Sequence, residues 1–213
     1  MDRIRKKAFL ATIGALIGLE IVSVFLHRLP WAKGFSPLGW TAMVRCADIF
    51  LFFILFRIQS IPVSTVGLRK PVKGSIIGLA ASLVLGSGFF LVQYSTRLLW
   101  GVDLRAFVNP GVRVQEPGPL VVLCLLGPFV EEIFFRGLCY TLIRTQTGVW
   151  IAVVLSALVF GTSHLLGAGT FGVVLVPVVG GMIFALLYEF TNSLFAPFVL
   201  HGVANFILFS RVI

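Results

Sequence analysis

Apolar runs of membrane-spanning length follow one another along most of this 213-residue sequence. They fall at Ala8–Leu26, Leu38–Ile58, Gly74–Gln93, Pro119–Ile143, Val149–His164, Phe171–Tyr188 and Ser193–Phe209. A helix needs about 20 residues to cross the hydrocarbon layer, so the pattern predicts an all-α, polytopic transmembrane bundle of about seven spans. Hydrophobic residues make up 58% of the chain and charged residues 12%, against about 25% charged in soluble domains, and the mean hydropathy is +1.04. Residues 94–118 mix Arg97, Asp103, Arg105, Arg113 and Glu116 with apolar residues and with Pro110 and Pro117, and Pro119 follows. They read as an interfacial helix and loop.

The net charge of +9 suggests a nucleic-acid partner until its distribution is considered. Arg3, Arg5, Lys6 and Lys7 precede the first run, Arg57 sits at the end of the second, and Arg69, Lys70 and Lys73 lie between the second and third. Basic residues that flank spans set topology and meet anionic headgroups, so the expected surroundings are a lipid bilayer and no nucleic acid. Counting basic residues loop by loop favours a cytoplasmic N-terminus. The first run follows a basic head but exceeds a secretory apolar core, contains Glu20 and lacks a small-x-small cleavage site, so it reads as a retained span. Cys46, Cys124 and Cys139 all lie in apolar runs with no CxxC spacing, as small core hydrophobes do. Gly14-x-x-x-Gly18 and Gly74-x-x-x-Gly78 match the small-xxx-small pattern of close helix packing.

Against this background Glu131, Glu132 and Arg136 stand out in the middle of the fourth run. A charged residue at the centre of a membrane helix costs about 2.5–3.5 kcal/mol on insertion scales, and such residues mark functional sites. Residues four apart share a helix face, so Glu132 can pair with Arg136. Glu131 points about 100° away and is left to face something else. Gly127-Pro128, one turn earlier, removes a backbone hydrogen bond and predicts a kink beside the carboxylates. Downstream, His164 ends the fifth run, and His201 and Asn205 share one face of the last. Polar groups in hydrocarbon need partners, and one shared cavity would satisfy Glu131, His164, His201 and Asn205 together. A carboxylate with a neighbouring imidazole can take a proton from water, and an imidazole and an amide can donate to an oxyanion. The set Glu131, His164 and His201 could equally hold Zn²⁺, although HExxH is absent. Asp48, near Arg45, reads as its ion partner. No Gly-x-Ser-x-Gly elbow and no intramembrane aspartate pair occurs.

Glu131-Glu132-x-x-x-Arg136, Phe160-x-x-x-His164 and His201-x-x-x-Asn205, with EEIFFRG at 131–137 and NSLFAPFVLHGVAN at 192–205, resemble the three motifs of the CPBP family. These are the type II CAAX prenyl endopeptidases and bacteriocin-processing membrane proteases. The resemblance covers roughly residues 119–209. It divides one integrated membrane domain into an N-terminal transmembrane region, 1–118, and a catalytic transmembrane region, 119–213. It implies a glutamate-dependent intramembrane endopeptidase acting near the C-terminus of a membrane-associated protein or peptide. In that mechanism Glu131 is the base for water, His164 assists it, His201 and Asn205 form the oxyanion site, and Glu132 and Arg136 support. The glutamate mechanism needs no metal, although the family is often labelled metalloprotease. Two other classes would also use such residues: a non-proteolytic immunity or scaffold protein that keeps the fold, and a proton-coupled transporter, for which no inverted repeat is visible.

Overall fold

The computed structural model describes residues 3–104, 116–164 and 172–209, and all regular structure within them is helical. Among the described residues seven helices follow in order: α1 (Arg3–His27), α2 (Pro37–Ile58), α3 (Pro71–Trp100), α4 (Pro117–Arg144), α5 (Val149–Ser163), α6 (Gly172–Thr191) and α7 (Phe195–Phe209). Single 3₁₀ turns at Pro30–Gly34 and Val63–Val66 join the first three. Four segments are long and apolar enough to cross a bilayer: Arg3–His27, Val63–Trp100, Pro117–Arg144 and Val174–Thr191. α5 and α7 are shorter apolar helices of 15 residues each. α2 has 22 residues and carries Arg45 and Asp48 within it. The protein is an all-α, multi-pass integral membrane protein. Its outward faces carry Phe50, Leu83, Leu91, Trp150, Leu175 and Phe190, all large, apolar and exposed, as lipid contact requires.

Local chemistry sets the helix ends. Ser36 caps α2 by accepting from the Gly39 amide at 3.0 Å, and Pro37 occupies the first turn, where its missing N–H costs nothing. α3 starts at Pro71 and stops where Gly101 takes φ +68° and donates its amide to Arg97 O. α3 therefore runs through residues 94–100, which the sequence had suggested begin an interfacial helix. No breaker lies between Gln93 and Trp100, and the buried Gln93 amide is satisfied by Asp103 Oδ1 and the Leu104 N–H, both at 2.9 Å. Residues 105–115, the rest of that expected element, lie outside the described residues, as do Phe171 and Arg211.

The main core joins Phe9 and Leu16 of α1, Phe52 and Phe56 of α2, Ile133, Leu138 and Tyr140 of α4, Val153 of α5 and Tyr188 of α6. α3 packs instead on α7, and glycine decides how closely. A Cβ on Gly74 would strike the Ser193 side chain, and one on Gly78 would strike the Ala196 carbonyl. Gly14 and Gly18 differ: a Cβ on either meets nothing within 4 Å, so that pair carries no helix contact. Cys124 is buried, Cys139 partly so and Cys46 exposed, and all three are free thiols.

One end of the bundle gathers the basic residues. Lys6 donates to Gln146 Oε1 at 2.7 Å, Arg144 pairs with Glu189 at 3.1 Å, and Arg69 donates to the Asn192 carbonyl at 2.7 Å. The start of α1, the α2–α3 connection, the end of α4 and the α6–α7 connection thus share one side of the membrane. Leu194 N–H to Gly67 O at 2.8 Å and Ser193 Oγ to Arg69 O at 2.8 Å lock the same end.

Gly78→Ala should lower the thermal midpoint of the detergent-solubilised protein, by overpacking worth about 1–3 kcal/mol. Gly14→Ala should leave it within about 0.5 kcal/mol of wild type. Thermal melts of the two variants check this difference.

Candidate active site

α4 is not a uniform helix. Val122–Leu126 and Ile133–Tyr140 are wound as π-helix around an α-helical turn, Gly127–Glu132. The first π turn ends immediately before Pro128, where the Gly127 amide reaches back to Val122 O. A proline that cannot donate is accommodated by widening the turn, one of the ordinary ways a helix absorbs such a break. Thr141 Oγ1 donates to Arg136 O at 3.1 Å, five residues back, within the second π stretch. The widened segments present the glutamates inward and leave carbonyls free for other helices.

Glu132 is fully buried, and its Oε1 accepts twice: from Arg136 Nη1 at 3.1 Å and from His201 Nδ1 at 2.8 Å. The Arg136 guanidinium is also buried. It donates through Nη2 to Gly181 O of α6 at 3.2 Å and lies over the Phe160 ring at 4.4 Å and the Phe184 ring at 5.2 Å, both within cation–π range. His201 stacks on Phe184 with centroids 4.7 Å apart and meets the edge of Phe160 at 5.7 Å. Glu132 therefore fixes the Nδ1 side of the imidazole while two rings fix its plane. The other nitrogen, Nε2, faces Glu131 Oε2 at 3.7 Å. Glu131 keeps 27% of its side-chain surface exposed, against 0% for Glu132. One imidazole thus spans two adjacent glutamates, one sealed in the protein and the other open.

Asn205 and His164 are placed differently from a fully shared cavity. Asn205 Nδ2 donates to Leu123 O in the first π turn at 2.8 Å. His201 and Asn205 therefore tie α7 to two successive levels of α4. Between them Gly202 faces the Cys124 carbonyl so closely that a Cβ would overlap it. His164 Nδ1 lies 2.9 Å from Phe160 O and 3.4 Å from Ser163 Oγ. Its ring meets Phe160 edge-on, with centroids at 4.8 Å, so both histidines touch the Phe160 ring. Among the described residues, no group of three His, Cys, Asp or Glu side chains is arranged to hold a metal ion. Glu131, His164 and His201 do not converge as a ligand set, and no chemistry is assigned through a metal here. Nothing in the sequence pattern marks Phe184 as the stacking partner of His201, or Gly181 O and Leu123 O as acceptors. Backbone carbonyls and ring stacking leave no spacing to read.

Beside the site lies an apolar groove of about 400 Å³ between α3, α6 and α7. Ser82, Gly86, Ile183, Leu200 and Ala204 line it, and Phe184, which stacks on His201, forms part of its wall.

A family model described as type II CAAX prenyl endopeptidase Rce1-like matches residues 114–207. All the motif residues, Glu131, Glu132, Arg136, His164, His201 and Asn205, fall within that match. A protein of Bacillus subtilis (strain 168) bearing the name "Putative membrane peptidase YdiL" is 26% identical over 165 residues, covering 73% of this chain. The chain spans 64% of that relative's length. No solved structure matches this chain.

Removing one partner of a buried pair leaves a charge uncompensated, at a cost of about 3–5 kcal/mol. Glu132→Ala should therefore melt far below wild type, or fail to yield a monodisperse protein in detergent. Glu131→Gln should melt as wild type does. Size-exclusion profiles and thermal melts of the two variants separate these outcomes.

Proposed function

We propose that this protein is a CPBP-family intramembrane endopeptidase that cleaves a peptide bond near the C-terminus of a membrane-associated substrate. The observation that carries this reading is His201, held on Nδ1 by a buried, arginine-paired glutamate and aimed through Nε2 at an accessible one. Glu131 takes a proton from water, and the water oxygen attacks the carbonyl carbon of the scissile bond. The carbonyl oxygen becomes an oxyanion, and His201, carrying a proton on Nε2, donates to it, as positioned donors do in acyl transfer. Asn205, whose amide has a second N–H beyond the one given to Leu123 O, is the further donor. Collapse of the intermediate breaks the C–N bond, and Glu131 returns its proton to the leaving amine. His164, beside Phe160, assists from the mouth of the site. Glu132 and Arg136 never touch substrate in this scheme; they hold His201.

The groove between α3, α6 and α7 suits the apolar part of such a substrate, since its wall is the ring against which His201 rests. We further place the basic end of the bundle at the cytoplasmic face, following the positive-inside tendency. α5 starts at that end and carries His164 about 22 Å away along 15 residues at 1.5 Å each. The site then opens toward the opposite leaflet, where an exported substrate would meet it.

The test compares membrane proteomes of cells carrying wild type or Glu131→Gln. Uncleaved C-terminal tails should accumulate in the variant, and cleavage of any substrate so found should fall at least about 100-fold, the usual scale for loss of a general base. Wild-type cleavage by Glu131→Gln would overturn the proposal. With such a substrate, Ala204→Trp should raise KM several-fold and leave kcat nearly unchanged, the sign of lost uniform binding.

A further inference from the structure

A second group of charges lies inside the bundle, in the region that the family match does not cover. Arg45 of α2 pairs through Nη1 with Glu20 of α1 and with Asp48 of its own helix, the latter at 2.9 Å. Asp48 is buried. Three ionisable groups at membrane depth are costly, and two helices could pack at this level without them. Their position relative to α4 suggests why they are there.

α2 and α4 both end at the basic side of the bundle, so they run in the same direction. Asp48 and Ile49 share the lining of a small void with Val130 and Ile133, the residues that flank the glutamate pair. Arg45 is three residues earlier in α2, about 4.5 Å nearer its start. That places it level with roughly residues 127–130 of α4. Side chains on a helix lean toward its start, and Glu131 does so: its Oε1 lies 3.9 Å from where a Cβ on Gly127 would be. The carboxylate thus leans back to the level of Arg45. The guanidinium keeps 23% of its side-chain surface exposed, so its charge is not sealed behind its two acidic partners.

We infer that Arg45 is a positioning residue for Glu131, with Glu20 and Asp48 acting as the brackets that hold its guanidinium in place. Glu131 then stands between two basic groups, His201 on α7 and Arg45 on α2, and its carboxylate is fixed over the water it activates. The N-terminal region contributes to the site in this way without supplying a group that touches substrate. This inference rests on the reading of Glu131 as the base.

The experiment measures kcat, KM and thermal midpoint for four proteins with a substrate found as above: Glu131→Gln, Arg45→Met, Arg45→Lys, and the neutral triad Glu20→Gln/Arg45→Met/Asp48→Asn. The triad removes the arginine without stranding a buried acid, and Arg45→Lys keeps the charge count, so each guards against a variant that merely fails to fold. Arg45→Met and the triad should lose at least about tenfold in kcat with KM within about twofold, the pattern of an interaction that matters in the transition state. Arg45→Lys should recover most of that loss. A folded triad with wild-type kcat would show that Arg45 only neutralises its two acids, and would overturn the inference. So would an Arg45→Lys protein as impaired as Arg45→Met. An active Glu131→Gln would instead overturn the protease reading itself, which keeps the two failures apart.

Discussion

The Glu132 carboxylate is the constraint on which the rest of the site depends. It lies in a fully buried position and is shared by the guanidinium one turn away and by an imidazole from a helix 69 residues later. In a low-dielectric interior such a group is tolerable only when paired and hydrogen-bonded. Meeting that requirement brings four helices together. Arg136 satisfies Glu132 and then reaches Gly181 O on α6, Phe160 on α5 closes over the guanidinium, and His201 arrives on α7. Tight glycine contacts make the approach possible: Gly181 against Ala157 and Phe160, Gly161 against Val178, and Gly202 against the Cys124 carbonyl.

The division of labour between two neighbouring glutamates follows from helix geometry. Adjacent residues point about 100° apart, so burying Glu132 against Arg136 turns Glu131 toward the open side, where His201 Nε2 meets it at 3.7 Å. The π turns on either side of the pair adjust which carbonyls and side chains reach inward, and one of them supplies the acceptor that anchors Asn205. Stability and chemistry are thus placed on different carboxylates of the same turn. A bilayer setting requires this separation, because a single carboxylate could not be both sealed and available to water.

Much of this was legible in the sequence, for identifiable reasons. Apolar run length predicted the helices. The spacing of Glu132 and Arg136 predicted their pairing, the nearness of Asp48 to Arg45 predicted theirs, and the i, i+4 relation of His201 and Asn205 predicted that they share one face of the last helix. Other features were hidden. The extent of α3 depended on Gln93 finding partners at 103–104, which its local sequence does not announce. The Gly14 and Gly18 pair has the pattern of a packing motif and no helix against it. The separation of His164 from the glutamates depends on where the Phe160 ring points, and the anchoring of Asn205 on a carbonyl exposed by a π turn. Both are tertiary facts with no periodic signature.

The account turns on His201 being oriented by Glu132 through Nδ1 and presented to Glu131 through Nε2. Nitrogen-15 NMR of histidine-labelled protein in detergent, with the His201 signals assigned by their loss in His201→Gln, reads that arrangement directly. Protons are expected on both ring nitrogens, the one on Nδ1 in a strong hydrogen bond, with a resonance that moves in Glu131→Gln only on the Nε2 side. A bare Nδ1 or a bare Nε2 would contradict this.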